Sequence, residues 1–167
     1  LIELKNLSNL KLNNESINLI DVPLNLNNNL NFYIKNCFEI AFGIIKKKVT
    51  NKFINGPINK SRFFNKKFLG MTEYISKKFK VKKNAMLIYN KELSVCPVTT
   101  HLPLKLVSKN VNQNLIKEKV VLINKFYKED IGFTPKIAVA GLNPHCESVL
   151  MFNEDQKIIA PAIKSLK

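Results

Sequence analysis

The stretch KIAVAGLNPH, from Lys136 to His145, is the part of the sequence that most directly indicates the fold. After the lysine, its first residues are apolar and do not alternate with polar ones, which is typical of a strand covered on both faces. Asn143, Pro144 and His145 follow at once, so this strand ends in a polar turn that carries a histidine. A strand of this kind predicts a sheet layered between helices.

Helical and β-rich segments alternate along the rest of the chain. Apolar residues at helical spacing predict helices over residues 30–47, 72–80, 112–128 and 154–166. β-rich runs predict strands over residues 16–22, 49–55 and 136–142, with a hairpin made by 85–89 and 93–98. Asn153 is expected to cap the last helix, and Pro161 to kink or break it. The alternation predicts an α/β fold over residues 1–167, a layered and mostly parallel sheet with helices on both faces.

Composition excludes several classes of protein. The chain has 167 residues, 46% of them hydrophobic and 23% charged, which suits a folded domain and not a disordered tail. No apolar stretch approaches the roughly 18 residues that a membrane span needs, and no signal-peptide pattern occurs at the start. The three cysteines, Cys37, Cys96 and Cys146, form no CxxC pair, which favours a reducing cytoplasm.

The formal charge of +15 raises the question of nucleic-acid binding. Only one of the 27 basic residues, Arg62, is an arginine, although arginine is the usual reader of guanine edges. The lysines are scattered along the chain in short runs. We therefore do not expect nucleic-acid binding, but the positive charge could attract anionic metabolites.

The two histidines, His101 and His145, each follow a predicted strand. Ligands collect at the carboxyl ends of parallel strands, so both imidazoles could lie on one rim and occupy two positions on a zinc ion. Alternatively, they are unrelated residues that bond loop backbone. Spacing alone favours the second interpretation, because metal sites usually need three or more ligands.

Two further segments could bind an anion. The first, Gly56-Pro57-Ile58-Asn59-Lys60, could present amide, ammonium and backbone donors to a phosphate, although the segment alone favours an ordinary turn with a solvated lysine. The second, around Thr72, could place a hydroxyl and free N–H groups at a helix start, or could be a plain helix cap.

Four motifs together resemble one known family. They are NGPINK at 55–60, GMTEY at 70–74, TTHLPL at 99–104 and KIAVAGLNPH at 136–145. Their order and spacing are similar to those of 4-hydroxythreonine-4-phosphate dehydrogenases of pyridoxal phosphate (vitamin B6) biosynthesis. The resemblance runs from about residue 30 to the end.

The resemblance implies a fold like that of isocitrate and isopropylmalate dehydrogenases. It also implies a homodimer whose active site lies at the subunit interface. The implied reaction uses NAD or NADP and a divalent metal, zinc or alternatively magnesium or cobalt. It oxidises 4-phosphohydroxythreonine, a phosphorylated hydroxy-amino acid, and the resulting β-keto acid loses CO₂. The chain would be the central part of a longer two-domain enzyme.

The resemblance also assigns residues. His101 and His145 match two of the three metal-binding histidines of the family, which reverses the preference stated above. Thr72 would contact substrate, and Asn59 and Lys60 would lie near the site. Met71 stands in the substrate-binding position where the family usually has a histidine, and a thioether cannot donate a hydrogen bond. No catalytic or cofactor-binding residue is assigned.

Departures from the family pattern keep two alternatives open. The sequence lacks the N-terminal Gly-Asp-Pro-Ala-Gly segment and a third histidine, so we expect an incomplete active site in these residues. Because of Met71, the enzyme could be a metal-dependent β-decarboxylating dehydrogenase acting on another phosphorylated or acidic hydroxy-substrate. The remaining alternative is a basic nucleic-acid-binding module.

Overall fold

The structure, a computed structural model, describes residues 15, 18–24, 29–146, 149 and 152–166. The chain divides into two compact units, one within residues 1–67 and the other within residues 68–167. No helix in these described ranges is both long enough and apolar enough to cross a bilayer.

The first unit is built around one long helix, α1 (Leu30–Lys46). Asn29 caps this helix, since its side-chain oxygen accepts the Asn31 N–H at 3.0 Å. A short helix, α2 (Lys60–Phe64), begins in the same way at Asn59. Aromatic rings from both helices and the segment between them pack with neighbouring centroids 5.1 to 5.8 Å apart: Phe38, Phe42, Phe53, Phe63 and Phe64.

The second unit contains the remaining helices. They are α3 (Met71–Phe79), α4 (Leu104–Asn110), α5 (Gln113–Phe126) and α6 (Ala160–Lys164), with π-helical turns at Tyr127–Ile131 and Asp155–Ile159. Its hydrophobic core forms where α5 contacts the C-terminal helical segment. The fully or nearly fully buried residues there are Val111, Ile116, Ile159 and Ala162. This contact fixes the end of the chain that follows His145 against α5.

The predicted hairpin is confirmed in its central contact. Ile88 and Val95 form an antiparallel bridge, in which the Ile88 N–H donates to the Val95 carbonyl at 2.8 Å and the reverse bond measures 3.0 Å. The Ser94 hydroxyl closes the turn by donating to the Asn90 carbonyl at 3.0 Å.

The predicted sheet is not formed within the described residues. Residues 49–55 and 136–142 have no β-ladder, and neither do residues 18–22, the described part of the first predicted strand. Residues 135–140 instead line a cavity of about 680 Å³ together with the hairpin and α5. Apolar sequence favours extended backbone locally, but a strand exists only when a second segment supplies its hydrogen bonds.

Two helix predictions also need correction. The segments that form α2 and α4 were not predicted as helices, because five- and seven-residue helices are too short to show a clear apolar period. The last helix was predicted as one element over 154–166, but it begins as the π turn Asp155–Ile159 and continues as α6. Pro161 lies just after the change from the π turn to α6, inside a continuous helical stretch, so it does not end the helix there. The predicted cap is confirmed, because the Asn153 side chain accepts the Asp155 N–H at 2.9 Å.

Candidate active site

A small polar cavity in the second unit brings several candidate residues together. It has a volume of about 30 Å³, enough for a water-sized group. Its wall carries two hydroxyls, a carboxylate, an amide, an imidazole and an ammonium group. The polar lining residues are Thr72, Glu73, Asn84, Thr100, His101 and Lys119. Both Thr72 and His101 are residues that the sequence predicted for the site.

His101 reaches this cavity from a tight turn just before α4. Its backbone lies in the left-handed region with φ at 59°, an uncommon conformation for a residue with a side chain. Pro103 follows as the N-cap residue of α4. The turn therefore places the imidazole at the cavity edge while the chain changes direction into the helix.

Glu73 is the carboxylate of the cavity, and sequence reasoning did not select it. It lies in the first turn of α3, and its buried Oε2 atom has no hydrogen-bond partner in the part of the chain that the structure describes. A Cβ atom on Gly70 would sit 3.0 Å from this oxygen and 3.5 Å from His101 Nε2. The glycine thus leaves room for a carboxylate and an imidazole to approach the same point. The sequence signal that could have identified Glu73 is its position next to Thr72 in the GMTEY motif.

Lys119 adds a positive charge from α5, and no sequence pattern distinguishes it from the many other lysines. Its ammonium group donates to the carbonyl of Asn84, which also lines the cavity. Burial raises the pKa of the neighbouring Cys96 thiol, while the Lys119 charge opposes that rise. The charge of the half-buried Lys119 side chain therefore acts on the neighbouring Cys96 thiol.

His145 lies on a separate loop of the second unit. Its backbone N–H donates to the Asn143 side-chain oxygen at 3.0 Å, and the backbone N–H of Cys146 donates to the Asn143 carbonyl at 3.1 Å. The loop is tied to the C-terminal helical segment, because the Leu142 N–H donates to Asp155 Oδ1 at 2.9 Å. The loop backbone is thus held by defined bonds although the imidazole itself is exposed.

The predicted metal site is not assembled as a cluster. Across the described ranges, no three His, Cys, Asp or Glu side chains lie close enough together to hold a metal ion. The binding of one metal ion by both His101 and His145 therefore stays a prediction.

The other three residues predicted for the substrate site lie in two different parts of the chain. Met71 is the first residue of α3, next to Thr72. Asn59 and Lys60 belong to the first unit, where the Asn59 side chain caps α2 by accepting the Arg62 N–H at 3.1 Å. Lys60 is exposed at the start of that helix. The capping role of Asn59 is a complete local explanation for that residue, and a substrate contact by Asn59 or Lys60 stays a prediction.

Known proteins are similar to this chain over most of its length. Residues 3–167 match the family model described as pyridoxal phosphate biosynthetic protein PdxA. The 4-hydroxythreonine-4-phosphate dehydrogenase of Sulfurihydrogenibium sp. is 38% identical over 133 residues, which are 77% of this chain and 41% of that protein. The D-threonate 4-phosphate dehydrogenase of Pectobacterium atrosepticum is 31% identical over 164 residues, which are 90% and 50% of the two chains.

A solved structure agrees with these similarities. The 4-hydroxythreonine-4-phosphate dehydrogenase of Klebsiella pneumoniae superimposes with a TM-score of 0.69 at 27% identity, over 81% of this chain and 43% of that one. The chain therefore belongs to the PdxA family, as its motifs predicted, and the described part of its fold is similar to that of this enzyme. It spans about half or less of the length of these relatives.

Proposed function

We propose that the enzyme containing this chain oxidises 4-phosphohydroxythreonine with NAD or NADP, in pyridoxal phosphate biosynthesis, and that the keto product then loses CO₂. The observation that carries the proposal is that His101 and Glu73 line one small cavity, where no described group donates to the buried Glu73 Oε2 atom, in a chain of this family.

A divalent metal fits the groups at this cavity. Within the described residues no group donates to the buried Oε2 atom of Glu73, and the His101 imidazole lines the same cavity. Nitrogen and oxygen ligands of this kind suit zinc and cobalt, and the carboxylate also suits magnesium. His101 would be one ligand, and Glu73 would supply a carboxylate oxygen. His145 is included as a further ligand on the family resemblance alone, since among the described residues it does not cluster with these two side chains. Once bound, the ion would polarise the substrate hydroxyl and stabilise negative charge developing on that oxygen.

Other residues of the cavity would orient the substrate. Thr72 offers a hydroxyl at the start of α3, and Lys119 offers a positive charge that favours anionic groups nearby. The cavity of about 30 Å³ admits only a small group, so the rest of the substrate must lie outside it. The sequence contains no dinucleotide-binding glycine motif, and we assign no residue of this chain to the NAD or NADP.

The proposal includes a homodimeric enzyme in the cytoplasm, with the active site at the subunit interface. Its support is the family relationship and the three cysteines, Cys37, Cys96 and Cys146, all of which are free thiols in the structure. Free cysteines are typical of proteins kept in a reducing compartment.

A second candidate function keeps the chemistry and changes the substrate. Met71 lies directly before Thr72, and its thioether cannot donate a hydrogen bond to a phosphate or carboxylate. The Pectobacterium relative also carries the name of a different phosphorylated hydroxy acid, D-threonate 4-phosphate. A dehydrogenase for such a substrate is therefore the alternative.

The test is a metal and activity assay on the full-length protein. Wild type, His101→Ala and His145→Ala are loaded with Zn²⁺, Co²⁺ or Mg²⁺ and dialysed, and bound metal is measured by mass spectrometry. NAD(P)H formation is then followed at its absorbance band with 4-phosphohydroxythreonine and with D-threonate 4-phosphate. We expect both histidine variants to bind less metal and to lose activity.

The outcomes separate the candidates. Turnover of D-threonate 4-phosphate alone would support the second function. Unchanged metal content in both histidine variants would remove the metal assignment, and the absence of NAD(P)H formation with either substrate would overturn the dehydrogenase proposal.

A further inference from the structure

The cavity of about 680 Å³ in the second unit lies between two extended segments of the chain. One is the second arm of the hairpin, which includes Ser94 and Cys96, and the other is residues 135–140. Side chains of α5 complete the lining. We call this cavity the hairpin groove. Its lining residues are not those of the candidate active site, apart from Val98 and Lys119, which contribute to both cavities.

Residues 136–140 form one edge of the hairpin groove. Residues 134–141 run without a helical turn or a bend. Within the described ranges, no backbone N–H or C=O group of residues 136–140 forms a hydrogen bond. Val139 packs against the buried core of the unit, whereas Ala138 and Ala140 on either side of it are exposed. Core packing therefore holds this segment in place while its backbone remains available to pair with another strand.

The hairpin supplies a second edge. Val95 uses its backbone N–H and C=O to pair with Ile88 on the first arm. Backbone groups of successive residues in an antiparallel pair point to opposite sides, so those of Ser94 and Cys96 point away from the first arm. Both residues line the groove, and neither makes a backbone–backbone bond in the part of the chain that the structure describes.

Apolar side chains at the groove are unusually exposed. The exposed fraction is 74% for Leu93, 53% for Val95 and Phe133, and 37% for Ile137. Contiguous exposed apolar surface of this kind marks a place that another element covers. A small ligand could bury these side chains, but only an extended peptide can also pair with the backbone along both edges.

We propose that the hairpin groove receives a β-strand from a part of the same polypeptide outside residues 1–167. This chain matches only 41% of the Sulfurihydrogenibium relative and 50% of the Pectobacterium relative, so proteins of this kind contain further elements that could supply the strand. A strand on the same polypeptide has a high effective concentration at the groove. It would join the two edges into one sheet, which the apolar run at 136–142 predicts and the described residues do not form. The proposal requires neither a metal nor a particular substrate.

Amide hydrogen exchange of the full-length protein, measured by mass spectrometry, tests whether both edges are paired. We expect the amides of residues 136–140 to exchange at least about 100-fold more slowly than in the urea-unfolded protein, because pairing protects them. Ala138→Pro removes an N–H from the middle of this edge, so it should speed the exchange of both edges at least about tenfold. In a groove without a strand, the lost N–H has no partner, and the exchange of Ser94 and Cys96 would not change.

Leu104→Pro is the matched control for the proline substitution. Leu104 is 88% exposed and is the first residue of α4, a position where proline is tolerated. We expect this variant to leave the exchange of both edges within about twofold of wild type.

Photocrosslinking identifies what occupies the groove, and it carries the test if Ala138→Pro fails to fold. Leu93 is replaced by the photoreactive amino acid p-benzoylphenylalanine in the full-length protein, and isotopically light and heavy proteins are mixed before irradiation. We expect crosslinks from position 93 to a peptide outside residues 1–167, in light–light and heavy–heavy pairs only. Val121, which is 56% exposed and does not line the groove, is the control position and should not crosslink to that peptide.

Three results would overturn the proposal. Mixed light–heavy crosslinks would show that a second copy of the chain covers the groove. Crosslinks to residues 136–140 would show that the two edges pair directly with each other. Exchange of residues 136–140 at the rate of the unfolded protein would show that no strand pairs with this edge. Each of these results would leave the proposed dehydrogenase function to its own test.

Discussion

Glu73 is the residue whose environment most requires a binding partner. A buried carboxylate oxygen without a donor costs on the order of 1–3 kcal/mol, and a bound cation would remove that cost. We expect Glu73→Gln to weaken Zn²⁺ binding while leaving the metal-free protein as stable as wild type or more so. Calorimetric titration and urea unfolding measure the two effects. The control is Glu92→Gln, an exposed glutamate outside this cavity. A loss of stability without a change in affinity would show a purely structural role.

If the proposed substrate is correct, we expect Met71 to weaken its binding. Its thioether offers no donor at the start of α3, where an imidazole could contact a phosphate oxygen. We expect Met71→His to increase kcat/KM for 4-phosphohydroxythreonine, mainly through a lower KM. Steady-state kinetics with Met71→Leu as the control measure this effect. A fall in kcat/KM for the histidine variant would mean that the pocket is built around methionine.

Cys96 and Cys146 should differ in chemical reactivity. Burial raises the pKa of the Cys96 thiol above its ordinary value, so less thiolate, the reactive form, is present at any given pH. We expect iodoacetamide to modify exposed Cys146 first and Cys96 only at more alkaline pH, as measured by peptide mass spectrometry. Because Lys119 opposes the rise, Lys119→Met should move the Cys96 profile to still higher pH. Equal rates for the two cysteines across the pH range would contradict this prediction.

The candidate site could be predicted only in part from single residues. His101 and Thr72 were found because motifs and chain breaks mark them, and they do line one cavity. Glu73 and Lys119 were not found, because their importance comes from burial and from neighbours distant in sequence. A charged residue looks like a solvated surface residue until the fold places it against an imidazole or a backbone carbonyl.

At the scale of elements, long helices were predictable and strands were not. α1, α3 and α5 lie within two residues of their predicted bounds, since the apolar period of a helix is a local signal. Residues 136–142 carry an equally clear apolar run, yet within the described residues they have no ladder partner. The hairpin formed its bridge because both of its segments are close together in the chain.

The packing of α5 gives a stability prediction for one element. Ile116 is 2% exposed in the core of the second unit, whereas Val121 on the same helix is 56% exposed. We expect Ile116→Ala to lower the free energy of unfolding by about 2–5 kcal/mol, because it leaves a cavity, and Val121→Ala to change it by less than about 1 kcal/mol. Urea denaturation measures both values. Equal effects of the two substitutions would mean that α5 is not packed as described.

At the scale of the whole molecule, the net charge of +15 is compatible with both an enzyme for anionic substrates and a nucleic-acid-binding protein. Scattered lysines produce a diffuse field without the arginine contacts that read bases. We expect duplex DNA binding to be independent of sequence and no tighter than about 10⁻⁶ M at physiological salt, the ordinary range for non-specific contacts. Fluorescence anisotropy at several salt concentrations, with two unrelated duplexes, measures this. Nanomolar binding to one duplex at physiological salt would favour the nucleic-acid-binding alternative, whereas weak binding together with NAD(P)H formation would assign the charge to the attraction of phosphorylated substrates.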